Sequence, residues 1–363
     1  MNPGFSSTTG VLIAMNRFRQ ITYHANSQTV DLGSGLLWDD VYRKLDPLGV
    51  TAIGSRVSGV GVAGLTLGGG YSWKSNQYGL TIDNVVEYEG GLNNFGIVTK
   101  FTMRAVPQTE VYGGLLFYDP LVINAVIQAL VNFQANNKDP KAQITGSFII
   151  LPSQYFVTLL VFYDAPTAPA GIFDEFIKIS SFGTLNTQSY LTFVQAAPVT
   201  QAVNLQSRYS TVSITQLSTN LLRTINNQLL FYNSTLGSKP GAFFIYSIEP
   251  FISTYFDKSQ GGAYPHVPSS TPLFPLLIQF GWESSSDNNA FIDGLKSTTN
   301  TILQAALDDG QDIGGSKQIR YPNNALGDTP LEQMYGDNVA KLRSIRQAWD
   351  PYNIMYLCGG FKF

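Results

Sequence analysis

Hydrophobic and polar positions change period several times along the chain, and each change predicts an element. Val11-Leu-Ile-Ala-Met15 is an unbroken apolar run, the pattern of a buried strand, and Thr29 to Gly33 reads as a shorter strand. Trp38, Val41, Leu45 and Leu48 then fall at helical spacing, and Gly49 marks the stop. Ile97 to Met103 alternates apolar and polar as a strand does.

After Pro107 the texture changes. Gly113 to Tyr118 predicts a strand, and Leu121 to Phe133 has helical spacing. Gln143 to Ile150 and Tyr155 to Tyr163 alternate as paired strands. Ala170 to Ile179 predicts an amphipathic helix. Ala242 to Ile248 and Leu276 to Trp282 predict two more strands, separated by the Pro/Gly/Ser-rich stretch 258–273. Phe291 to Leu307 predicts a helix, so the middle region reads as an antiparallel sheet with helices over one face. Near the end, Tyr321-Pro-Asn-Asn-Ala is a turn or edge segment. Thr329-Pro-Leu-Glu332 predicts a helix start with Thr329 as N-cap and Pro330 first. Asn338 to Trp349 continues the helical pattern, and Asp350-Pro351 breaks it.

Composition narrows the function. A length of 363 residues, 44% hydrophobic, allows two domains or one large one, each with its own core. Net charge is −3, charged residues are 13%, and no basic block appears, which argues against nucleic acid as a partner. No apolar run is long enough for a membrane helix, so no membrane partner is expected. The first residues do not read as a signal peptide, and one sequon, Asn233-Ser-Thr235, is compatible with secretion; the compartment stays open. One cysteine, Cys358, excludes an intrachain disulfide and reads as a small core residue. With two histidines, His24 and His266, a metal site is not expected. Neither histidine lies near a Gly-x-Ser-x-Gly segment, which argues against a hydrolytic triad.

The run Gly54 to Gly70 carries glycines at 54, 59, 61, 64, 68, 69 and 70. Such backbone admits a pyrophosphate or the edge of a planar ring at close range. The string Gly59-x-Gly61-x-x-Gly64 also fits the dinucleotide fingerprint, but only if a helix follows. Three consecutive glycines at 68–70 oppose a Rossmann helix, at about 1 kcal/mol each relative to alanine. A loop lining a large cofactor is the favoured reading, and a turn cluster without ligand is its rival.

Gly61-Val-Ala-Gly-Leu-Thr-Leu-Gly-Gly-Gly-Tyr-Ser, then Tyr78-Gly-Leu-Thr-Ile-Asp-Asn-Val-Val-Glu87, then Asn94-Phe-Gly-Ile-Val-Thr-Lys-Phe101 resemble the FAD-linked oxidases of the vanillyl-alcohol-oxidase type. The berberine-bridge-like enzymes of fungi are the nearest branch, and Asp350-Pro-Tyr-Asn-Ile354 before Gly359-Gly-Phe-Lys-Phe363 looks like their C-terminus. The resemblance spans essentially the whole chain. It implies an α+β fold, with a PCMH-type FAD domain built from 1–106 and 318–363 around a substrate domain at 107–317. It implies that Gly59, Val60, Gly61, Val62, Gly64, Leu65, Thr66, Gly69, Gly70, Asp83, Gly96, Ile97, Val98 and Asn323 bind FAD. Tyr321 is the catalytic candidate, removing or orienting the substrate hydroxyl proton as hydride leaves for the flavin. A core tyrosine with a satisfied hydroxyl is the other reading of Tyr321. The partners implied are a small-molecule alcohol, sugar or secondary metabolite, and oxygen.

Three departures from the family qualify this. Its members carry a Gly-Gly-His segment, whose histidine links to the flavin, just before the stretch that here begins Asn2-Pro-Gly-Phe. Non-covalent FAD is therefore expected; His24 lies outside that motif, and Val57 stands where doubly linked members have cysteine. Second, Glu87-Tyr-Glu runs directly into Gly90-Gly-Leu-Asn, where the family has further strands and a helix, so exposed sheet edges are expected. Third, the family's Tyr-x-Asn-Tyr is Tyr321-Pro-Asn-Asn324, and Asn324 cannot act as a base. Gln279 is the polar group offered by its strand, and Glu249 and Glu283 read as rim acids. A truncated, non-catalytic relative that binds FAD weakly is the rival from another class. A nicotinamide-linked dehydrogenase is a third reading.

Overall fold

Two antiparallel sheets carry the architecture of the computed structural model, which describes residues 8–90, 94–152, 154–197, 205–315 and 318–363. The segment from Asn2 to Phe5 and the junction residues 91–93 lie outside the described residues.

The first sheet is built from β1 (Ile21–His24), β2 (Thr29–Gly33), β3 (Val50–Ala52), β4 (Val85–Gly90) and β5 (Val98–Pro107). β5 is its spine: β2 pairs along one side, and β3 and β4 share the other. Between strands lie α1 (Trp38–Leu45), α2 (Val62–Leu67) and α3 (Ser75–Tyr78). A short 3₁₀ turn, Asp46–Leu48, extends α1, and Gly49 closes it at a φ of 69°. Trp38, Val41 and Leu45 at helical spacing fill the core against Val30, Leu32, Phe101 and Met103. Each such fully buried side chain contributes roughly 1.5–3 kcal/mol.

The second sheet has seven strands in the order β10–β12–β11–β7–β8–β6–β9, every neighbour antiparallel. They are β6 (Val111–Tyr118), β7 (Ala142–Leu151), β8 (Gln154–Tyr163), β9 (Ser181–Gln188), β10 (Gln206–Ile214), β11 (Phe243–Ile248) and β12 (Phe274–Trp282). The helices of this region are α4 (Ile123–Asn136), α5 (Asp174–Lys178), α6 (Tyr190–Gln195), α7 (Thr219–Leu236) and α8 (Asn288–Asp308). The alternation read from the sequence places Phe274, Leu276, Ile278, Phe280 and Trp282 of β12 on the helix side. The chain closes with α9 (Glu332–Tyr335) and α10 (Asn338–Trp349).

Several expectations are corrected. Val11–Met15 forms no strand and is exposed, Val11 by 89%. Its last carbonyl accepts from Phe18 N–H, so the run enters a turn instead of a ladder. The helix expected over Ala170–Ile179 is confined to α5, with Gly171 at a φ of 92° before it. Thr329 caps nothing by its side chain; the helix begins at Glu332. Cys358 is exposed, on the tail that leaves α10 after Asp350-Pro351. β9, β10, α6 and α7 carry mixed polar patterns and were not expected at all.

Candidate active site

The glycine run does not stay a loop throughout. Val62 to Leu67 winds into α2, and Gly68, Gly69 and Gly70 end it. Six residues is as far as the helix gets before the triple glycine, so no Rossmann helix forms. Asp39 of α1 anchors the start: its carboxylate accepts from Gly59 N–H at 2.8 Å and from the Ser58 hydroxyl. Burial pushes the Asp39 carboxyl up, but those bonds and one from Gln195 outweigh it and hold the group below its ordinary value. Val60 and Val62 bond to the backbone of Trp38 and Leu36, both at 2.9 Å.

The glycines divide into two groups. A Cβ added at Gly59, Gly61 or Gly64 would meet no protein atom within 4 Å. At Gly68 it would strike the Asn323 side chain at 2.1 Å, and at Gly70 the Thr81 hydroxyl at 2.4 Å. Gly69 and Gly70 also hold φ values of 110° and 81°, which side chains rarely adopt. The first group faces open space, and the second is packed against protein.

What packs there comes from far along the chain. Gly70 N–H donates to the Tyr321 hydroxyl at 3.2 Å, and Asn323 Nδ2 donates to the same oxygen at 2.8 Å. Asn323 also donates to the Leu65 carbonyl at 3.2 Å. Tyr321 is 2% exposed. Burial pushes its phenol up, while Arg56, Asn323 and Gly70 pull against that shift. Tyr71, the residue after the triple glycine, meets the Tyr321 ring edge-on at 4.9 Å, and its hydroxyl lies 3.1 Å from that of Tyr264. Burial raises the phenols of Tyr71, Tyr255 and Tyr264 well above their usual range.

Asp83 sits behind this group. Its carboxylate accepts from Leu80 N–H, Gln260 N–H and His266 Nε2, all within 2.9 Å. His266 Nδ1 faces the Tyr264 carbonyl at 2.6 Å, so the pair holds the tyrosine loop from beneath. Gly96-Ile97-Val98 opens β5 beside β4; Val98 shares a core with Val62, while Ile97 is exposed. The neighbouring Asn94 binds the Phe361 carbonyl at 3.0 Å, bringing the chain end to this edge.

Sequence reasoning missed Arg56, Lys74 and the tyrosine group around Tyr71. Arg56 pairs with Glu249, whose side chain is 12% exposed, so Glu249 is no rim acid; Glu283 is exposed. Burial lowers Arg56 to about 10, which leaves it charged at neutral pH. Lys74, 1% exposed, binds both oxygens of Asp164 at 2.7 and 2.8 Å. A lysine three residues past Tyr71 in an otherwise uncharged stretch was the available signal. His24 bonds to Asp31 on the exposed side of β1. Among the described residues no cluster of candidate metal ligands occurs, and no helix is long and apolar enough to cross a membrane.

With this geometry in view, the comparisons are specific. Residues 1–94 match the FAD binding domain family. An uncharacterised FAD-linked oxidoreductase of Arthroderma benhamiae is 37% identical over 414 positions, covering 99% of this chain and 80% of that protein. That alignment is longer than the 363 residues of this chain, so the relative carries internal insertions with respect to it. The structure of 6-hydroxy-D-nicotine oxidase from Arthrobacter nicotinovorans superposes with a TM-score of 0.74 at 15% identity, over 97% of this chain and 83% of that one. The BBE-like 1 protein of Physcomitrella patens gives 0.70 at 19%, over 93% and 78%. The fold is therefore α+β, of the PCMH-type FAD-binding oxidase class. The chain belongs to the FAD-linked oxidoreductases, and it shares its fold with solved berberine-bridge-enzyme-like proteins.

Proposed function

We propose that this chain oxidises a small-molecule alcohol, sugar or secondary metabolite with FAD held non-covalently, and that oxygen takes the electrons. One observation carries the reading: Tyr321 and Asn323 close on the glycine run from some 250 residues away, beside glycines that face open space. A Cβ at Gly59, Gly61 or Gly64 would meet no protein atom, so the backbone there is open to close approach by a flat ring, and in that respect the residues present fit the cofactor. Val60, Val62, Leu65, Thr66, Gly69 and Gly70 would line the same side, with Gly96, Ile97 and Val98 at the β5 edge. Asn323 would close the far end; Asp83 would act through the loop it pins, since its carboxylate is already held by Leu80, Gln260 and His266.

FAD, when bound, supplies a hydride acceptor. The chain's own part is positioning and proton handling. The Tyr321 oxygen accepts from Gly70 and Asn323, which leaves its O–H to be offered to a substrate oxygen. A phenol raised by burial is protonated at neutral pH, so Tyr321 is suited to orient that oxygen and not to take its proton. Non-covalent attachment is supported by the histidines: His24 is on the exposed side of β1, and both His266 nitrogens are engaged by protein. Val57 and the remote, exposed Cys358 offer no thioether. The proposed domain division at 106 is supported by the sheets, since β5 ends at Pro107 and β6 opens the second sheet.

The test is incubation with FAD, desalting, and turnover of a panel of alcohols and sugars with peroxide detection. Flavin retention with peroxide release is expected. Retention without peroxide, under any substrate or artificial acceptor, sinks the oxidase reading.

A further inference from the structure

We propose that Asn233 is an N-glycosylation site, and that its sugar covers the exposed apolar pair of α7, Leu230 and Phe231. The site is independent of the flavin reading.

Asn233-Ser234-Thr235 is the single Asn-x-Ser/Thr triplet in the 363 residues, and its middle position is not proline. It falls in the last turn of α7, which ends at Leu236 with Gly237 as its cap. The period of the helix fixes which way the triplet faces. Leu222, Ile225, Leu229 and Tyr232 are buried in the core against the sheet. Tyr232 packs on Phe280 of β12 with ring centroids 5.1 Å apart, and a Cβ on Gly294 of α8 would stand 2.9 Å from its ring. With Tyr232 locked inward, Asn233, Ser234 and Thr235 are all exposed.

The acceptor group is free. The main-chain carbonyl of Asn233 accepts from Gly237 N–H at 2.9 Å, but its side-chain amide has no hydrogen-bond partner among the described residues. The Thr235 hydroxyl, two residues on, donates to the Phe231 carbonyl at 3.0 Å, on a side chain that stays exposed.

A sugar here has something to cover. Leu230 and Phe231 are 42% and 54% exposed, on an outer face otherwise formed by polar residues such as Asn220, Arg223 and Asn227. Helical side chains lean toward the N-terminus, so Asn233 leans over the turn that carries Leu230. The C–H faces of the first sugars then lie on hydrocarbon while their hydroxyls face water. The sugar also stands clear of the candidate flavin site. α7 packs on the side of the seven-stranded sheet that buries Ile144 and Phe148. Asn76, just beyond the glycine run, reaches the Gln143 side chain on the opposite side at 3.2 Å.

Attachment is a group transfer. Asn233 Nδ2 bonds to the anomeric carbon of an oligosaccharide carried on a lipid pyrophosphate. The bond from that carbon to the pyrophosphate oxygen breaks, and the lipid pyrophosphate leaves with the electron pair. The amide gives up one proton, and nothing is oxidised or reduced. This transfer takes place in the secretory lumen, so a sugar on Asn233 means that the chain passes through it.

The first test is translation of the full chain behind a cleavable secretory leader with microsomes present, which reads sugar addition whether or not the product is exported. One upward mobility step is expected, removed by endoglycosidase and absent in Asn233→Gln and Thr235→Ala. Thr235→Ser, which still offers a hydroxyl, should keep it. No step, or a step that Asn233→Gln retains, overturns the proposal. The second test is peptide mass analysis of the protein purified from the cells that make it, after peptide-N-glycosidase, which leaves aspartate where a sugar stood. Conversion at position 233 is expected, and an unconverted asparagine overturns the site. For the covering role, the glycosylated protein should bind less of the apolar dye anilinonaphthalene sulfonate than Asn233→Gln does. Equal dye binding overturns that role.

Discussion

At the scale of single residues, the two glycine environments make opposite predictions. Gly64 lies inside α2, where a Cβ meets no protein atom within 4 Å. Gly64→Ala should therefore stabilise the FAD-free protein, by up to about 1 kcal/mol from helix propensity. The same methyl intrudes on the proposed ring space, so FAD affinity should fall; a melt and an FAD titration check both arms. Tyr321→Phe keeps the ring against Tyr71 but removes the hydroxyl held by Gly70 and Asn323. Turnover should fall by about 10²-fold or more with FAD retention unchanged. A Tyr321→Phe enzyme with full turnover would assign the tyrosine to the core alone. The difference between Tyr321 and Asp83 was not legible in the sequence, because both sit in motifs of equal strength. Only the structure shows the Tyr321 oxygen accepting from Gly70 and Asn323 at the end of the glycine run, and the Asp83 carboxylate enclosed by Leu80, Gln260 and His266.

At the scale of elements, the glycine segment is held by α1. Asp39→Asn should cost about 1–3 kcal/mol, because Gly59 N–H and the Ser58 hydroxyl lose a charged acceptor. The pH dependence has a definite sign. The folded Asp39 value is depressed, so its stabilisation is present above the unfolded carboxyl value near 4 and is lost as pH falls through the folded value. Acid titration of the melting temperature should show a shallower loss in Asp39→Asn than in the parent; identical acid limbs would refute the assignment. Strongly periodic elements were legible: α1, β5, the β7–β8 pair, β12 and α8 stand close to where their spacing puts them. Elements with mixed patterns were not. β9 is exposed along most of its length, so its alternation carries no hydrophobic signal. Val11–Met15 shows the converse, an apolar run with no ladder to join.

At the scale of the molecule, the two sheets are joined by a buried charge. Lys74 follows the triple glycine, and Asp164 ends the β8 side of the second sheet, with Gln77 donating to the same carboxylate at 2.8 Å. Burial lowers the Lys74 value, and Asp164 opposes that shift. Lys74→Met leaves Asp164 buried without its cation and should cost about 3–5 kcal/mol, whereas Lys74→Met with Asp164→Leu should recover most of it. Calorimetric melts of the three proteins decide this. The expected exposed edge is also present: β4 is exposed over nearly its whole length, and its outer side pairs with no strand among the described residues. The change of texture at Pro107 falls where β5 ends and the first strand of the second sheet follows. The ties across it, Lys74–Asp164 and Arg56–Glu249, were not legible in the sequence, because ion pairs between distant segments leave no periodic trace.

The central proposal is that the glycine run, with Tyr321 and Asn323 packed at its end, holds FAD and does so non-covalently. The most direct measurement is the flavin absorbance of the purified, FAD-incubated and desalted protein, before and after acid precipitation. The account predicts a yellow protein carrying about one flavin per chain, all of it released to the supernatant by acid. A protein that stays colourless, or a pellet that keeps its flavin, contradicts it.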